Sequence, residues 1–132
     1  MSEIRRVPRE TSARALARLT VESEKVLRVR AFALRDEISS TLERAAVGRG
    51  VFYKGNRNPS SAPGDPPARQ SGTLVNSIDA ARVTPSLYEV GPRSAAFTNR
   101  SAYPVTLEFG GRNIAPRPFM RPSVASFKAK LR

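Results

Sequence analysis

The sequence predicts an α+β fold: a long N-terminal helix packed on a small antiparallel sheet, with a short helix and a C-terminal helix. Three observations predict it. From Thr11 to Val47 the chain holds neither proline nor glycine, and its apolar residues recur at helical spacing. Two short strand-like runs, DAARVT and SLYEVGP, meet around Thr84, Pro85 and Ser86. The whole chain has 132 residues, enough for a single domain over 1–132 with one modest core.

The first element spans 11–47. Thr11 and Ser12 can cap it after Pro8. Leu16, Leu19, Val26, Leu27, Ala31, Leu34, Ile38, Leu42 and Ala45 draw one stripe, and Arg14, Arg18, Glu22, Glu24, Arg28, Arg35, Glu37 and Glu43 take the other faces. At 1.5 Å per residue such a helix reaches roughly 55 Å, longer than this domain's core needs. The part before about Leu19 is therefore expected to overhang.

Gly48 and Gly50 end the helix, and 48–71 is an extended Gly/Pro-rich loop carrying Lys54, Arg57 and Arg69. A loop of about 20 residues in a compact domain usually marks a binding element or disorder. The α+β core fills 72–132. Ser71 and Gly72 open a helical turn, TLVNSI, with Leu74 and Ile78 on one face, and the hairpin follows. AAFTN is a candidate third strand. In SAYPVTLEFGG, Pro104 suits a first helical turn and Gly110 with Gly111 stop the helix after Phe109. From Pro122, Val124, Phe127 and Leu131 form the apolar stripe of a last helix, with Lys128, Lys130 and Arg132 mainly outside it.

Charge narrows the partners. Lys and Arg number 23 against 11 Asp and Glu, a net +12, and all but four of the cations are arginine. Such an excess points to an anionic neighbour, nucleic acid above all, because guanidinium forks fit phosphate oxygens. Without Cys or His, disulfides, thiolate nucleophiles, imidazole bases and imidazole zinc sites are excluded. The N-terminus lacks the apolar core of a signal peptide and no apolar run nears a membrane span, so neither secretion nor membrane insertion is expected.

Catalytic candidates are poor. Beyond the first helix the acids are Asp65, Asp79, Glu89 and Glu108, scattered over separate elements. GRGVFYKG lacks the Gly-Lys-Ser/Thr ending of a phosphate loop. No enzyme and no cofactor are expected. Glu108, between Leu107 and Phe109, is read as an ion-pair partner of Arg112 or Arg117, within the chain or across a subunit boundary. The segments SAPGDPP and APRPFMRP are stiff, and so lose little entropy when a partner holds them.

The order SAPGDPPARQSGTLVNSI, a strand ending in Val90-Gly91-Pro92, then YPVTLEFGGRNIAPRPFMRPSV resembles the small tail-completion or neck proteins of long-tailed bacteriophages. These are the HK ninety-seven gene product ten-like tail components. The resemblance covers residues 61 to 132 and, in kind, the long helix. Asp65 stands where Glu is commoner in that family, and Gly111 where Thr usually follows Glu-Phe-Gly. It implies a structural virion protein without catalysis, at the head-tail junction after assembly in the host cytoplasm. Its subunits would form a ring, six-fold in preference to twelve-fold, between head-closure proteins and tail-terminator or tail-tube proteins. The lumen would make non-specific contact with double-stranded DNA. On this reading Pro63, Gly64, Asp65, Pro66 and Pro67 form an arm against a neighbouring subunit, with Gly72 and Leu74 anchoring its return. Tyr103, Glu108, Phe109, Pro118 and Phe119 belong to the ring interface, and Arg112, Arg117 and Arg121 face the DNA. A free-standing, sequence-independent nucleic-acid-binding protein is the alternative; the few aromatic residues are not interleaved with the basic ones as a stacking platform needs.

Overall fold

A computed structural model of the chain describes residues 12–44, 61–68, 70–97 and 103–131. Lys54, Arg57 and Arg69 of the long loop, Ala45 of the helical stripe, and Thr98 and Asn99 of the candidate third strand lie outside them. The elements run α1 (Ser12–Arg44), α2 (Thr73–Ser77), β1 (Ile78–Thr84), β2 (Leu87–Pro92), a 3-10 turn (Ser94–Ala96), α3 (Tyr103–Phe109) and α4 (Met120–Lys130). The fold is the expected α+β arrangement of long helix, antiparallel hairpin, short helix and C-terminal helix.

α1 has 33 residues, which at 1.5 Å each makes it about 50 Å long. Only its C-terminal part enters the core. Ile38 and Leu42 are buried with Ile78, Leu107 and Phe119, and Leu34, Leu74, Val75, Val90, Tyr103 and Met120 pack around them. Every element except the 3-10 turn thus gives at least one side chain to one cluster. Towards its N-terminus α1 carries Leu16, Leu19, Val26 and Val29 in solvent, each more than half exposed.

The hairpin pairs β1 and β2 from Ile78 opposite Pro92 to Thr84 opposite Leu87, with an irregularity between Arg82 and Thr84. A lone two-stranded sheet is marginal in water. Here it lies against α1, and Arg82 Nε donates to Glu24 Oε1 at 2.6 Å. Where β2 ends, Arg93 N–H reaches Ser77 O at 2.9 Å and the Arg93 guanidinium pairs with Asp79. Two features differ from the sequence expectation. Ser94–Ala96 is a 3-10 turn and Phe97 a buried ring against Tyr103, so among the described residues AAFTN adds no strand. The face of α4 turned to α1 is polar: Ser123 is fully buried, whereas Leu131 is half exposed.

That polar seam also recovers Glu37 from the outer face of α1. Its carboxylate accepts from Ser126 Oγ at 2.7 Å and from Lys130 Nζ at 2.6 Å, while Ser123 Oγ lies 2.9 Å from Thr41 Oγ1. Successive residues of α1 meet α4 in descending order, so the helices run antiparallel. The Lys130 ammonium, then the Ser126 hydroxyl, hold the Glu37 carboxyl below its ordinary value of 4.5 against the opposing effect of burial.

Candidate functional site

The stretch from Glu108 to Arg121 joins α3 to α4 and gathers Glu108, Phe109, Pro118, Phe119 and all three arginines singled out in the sequence. α3 ends as glycine dictates. Gly110 has φ +81, and a Cβ there would lie 3.0 Å from Pro116 Cδ and 3.1 Å from Ile114 O, so any other residue is both strained and crowded. The chain then turns sharply, Gly111 and Ile114 exchanging backbone hydrogen bonds of 2.9 and 3.3 Å around an exposed tip of Arg112 and Asn113. It returns to α3 where Arg117 N–H meets Leu107 O at 2.6 Å.

This return carries the start of α4 to Glu108. The first residues of a helix leave amide protons without intrahelical partners, and a carboxylate at that end also meets the positive pole of the helix dipole. APRPFMRP offers no Ser, Thr, Asp or Asn to cap them. Glu108 does so instead: Oε2 accepts from Phe119 N at 2.8 Å and Met120 N at 2.9 Å, and Oε1 from Arg121 N at 2.9 Å. Arg121 Nε stands 4.0 Å from Oε1. A buried carboxylate is tolerable only when its lone pairs are used, and these are. Glu108 therefore pairs with neither Arg112 nor Arg117, and it is committed within its own chain, which leaves no carboxylate to offer a neighbour.

The second proline segment meets the first. Ala62-Pro63-Gly64-Asp65 makes a turn of type II pattern, with Asp65 N–H on Ala62 O at 3.1 Å and Gly64 at φ +89. Gly64 N–H then donates to Pro116 O at 2.9 Å, and Arg117 Nε to Ser61 O at 3.2 Å. The arm thus lies on its own chain, with Pro63, Gly64 and Asp65 exposed, Pro66 half-buried and Pro67 buried. Gly72 is buried at φ +85 and Leu74 packs on the core.

The remaining candidates divide by burial. Phe119 has no exposed surface and is a central core residue, which removes it from the interface set. Tyr103 packs on the core and Pro118 is half-buried, while Phe109 is largely exposed under the Arg121 guanidinium, 4.8 Å from its ring centre. Arg117 is half-buried and donates from Nε to Ser61 O and from Nη1 to Ala115 O, whereas Arg112 and Arg121 are exposed. Glu37 and Ser123 were missed because their partners lie more than eighty residues away. For Glu108 a signal existed: a helix start without a capping residue, and a lone acid just upstream between apolar residues.

Among the described residues no group of three acids or other metal-binding side chains converges, and no helix is long and apolar enough to cross a membrane. The chain matches no protein-family model, no curated protein and no solved structure.

Proposed function

We propose that this chain is a structural subunit of the head-tail connector of a long-tailed bacteriophage, a neck or tail-completion protein acting as a scaffold without catalysis. The observation that carries the assembly part of this reading is the N-terminal half of α1. Leu19 and Val26 fall at seven and eleven residues from the next position on one line, and Glu37 continues it; at 100° per residue they share a face to within about 20°. Farther along, that face meets α4. Beyond the end of α4 its apolar residues have no cover within the described residues, the situation of a helix built to lie against another chain. The motif order from SAPGDPP to PRPFMRP supplies the family, and the arginine excess fits a wall facing DNA.

In this reading α1 makes the subunit contact and the exposed Arg112 and Arg121 turn to the lumen. Neighbouring head-closure and tail-tube rings stack above and below. The test is imaging of the purified chain by cryo-EM together with DNA binding at several salt concentrations. Closed rings are expected, with Arg112→Gln and Arg121→Gln each reducing the slope of log affinity against log salt by about 0.9 while rings persist. A monomer that binds DNA with the same slope before and after both substitutions would overturn the reading.

A further inference from the structure

A separate surface lies between α3 and α4. It is a groove of about 510 Å³ floored by Pro104, Val105, Phe109, Met120, Val124 and Ala125. Its rim carries Arg121 and Lys128, both exposed, and the one acid in its wall, Glu108, is buried and already holds three amide protons. The groove is therefore apolar at the bottom and positive at the edge.

We propose that this groove docks an acidic amphipathic helix of a different protein. Two facing helices leave a channel that a third helix fills by ridge-into-groove packing, and an apolar stripe then enters while its flanks meet the rim. Arg121 and Lys128 are seven residues apart on α4, or about 10 Å along the axis. An occupant with carboxylates seven residues apart and leucines between them matches both cations and the floor. Charge argues against a second copy of this chain: its own uncovered helical stretch is flanked by Arg14, Arg28 and Arg30, and its two acids, Glu22 and Glu24, are already paired with Lys25 and Arg82. Like charges facing each other across a rim disfavour the wrong partner. This inference does not rest on the ring: it assigns Arg121 to the docked helix rather than to DNA, so Lys128, which the ring reading leaves unused, carries its test.

The probe is a dye-labelled synthetic helical peptide with glutamates seven residues apart flanking a leucine pair, titrated against the full chain by fluorescence anisotropy. A matched peptide carries lysines at the two flanks. The acidic peptide is expected to bind at least tenfold more tightly than the lysine one. Lys128→Glu should narrow or reverse that preference, an effect that a merely structural lysine would not have. Val105→Asp, at a largely exposed position, should abolish binding while the circular dichroism spectrum stays native. Equal binding of the two peptides, or none, overturns the proposal. So does a change in the chain's own oligomeric mass in Val105→Asp, which makes a second copy the occupant, or a tenfold gain in peptide binding on deleting residues 1–11, which makes the chain's own N-terminus the occupant.

Discussion

Glu108 should be among the costliest polar residues to replace. In Glu108→Ala the amide protons of Phe119, Met120 and Arg121 lose their acceptor together. Arg121 is exposed and Met120 only partly buried, so water can reach the amides there, but Phe119 has no exposed surface and its N–H would be left dry. A buried unpaired donor costs about 1–3 kcal/mol and a lost helix cap about 1 more, so the variant should lose about 2–4 kcal/mol. Glu108→Gln keeps one acceptor oxygen but turns an NH2 towards a donor, and should fall between Ala and wild type. Urea unfolding followed by circular dichroism measures both, with unchanged slopes separating stability from altered compactness. Arg112→Gln is the control, because its side chain is exposed and shares no bond with Glu108; it should stay within about 0.5 kcal/mol of wild type. A loss below about 0.5 kcal/mol in Glu108→Ala, or coupling between Glu108 and Arg112 in a double-mutant cycle, would refute the capping argument.

Ile38→Ala, at a site with no exposed surface, should cost about 2–5 kcal/mol in the same unfolding assay. Gly110→Ala should destabilise more than Gly64→Ala: both have positive φ, worth about 1–2 kcal/mol against any other residue, but only at Gly110 does the new methyl meet Pro116 and Ile114, whereas Gly64 faces open space. The Glu37 contact with Lys130 should show in the acid limb. A carboxylate whose folded pKa is held below its ordinary 4.5 stabilises the fold above that value and loses the contribution as pH falls through the folded pKa. Lys130→Gln should therefore be less stable than wild type at neutral pH, and the gap should close as pH drops below about 4.5; a constant gap would mean that the lysine acts by packing alone.

Elements governed by local chemistry were legible in the sequence. α1 followed from a run free of proline and glycine, α3 from Pro104 at one end and Gly110 at the other, and the hairpin from two short runs around Pro85. What escaped is what long-range contact decides. Leu16 and Ile38 belong to the same helical pattern, yet only Ile38 finds α2, β1 and α3 beside it. Glu37 reads as a solvent-facing charge until α4 brings Ser126 and Lys130 to it. The two proline segments were legible as stiff but not as partners, because the bond from Gly64 N–H to Pro116 O joins segments far apart in the sequence. Phe119 sits among prolines and arginines, surroundings typical of a surface loop, and is nonetheless buried because Glu108 draws the start of α4 inward.

On the proposed reading, the uncovered N-terminal half of α1 joins this chain to copies of itself in a closed ring. Native mass spectrometry of the full chain beside the Leu19→Glu/Val26→Glu double variant tests it most directly. Both side chains are more than half exposed, so the variant should fold normally. A single closed oligomer of six or twelve subunits is expected for the wild type, and a folded monomer for the variant. An unchanged oligomer in the variant, or a wild type that stays monomeric at every concentration, would contradict it.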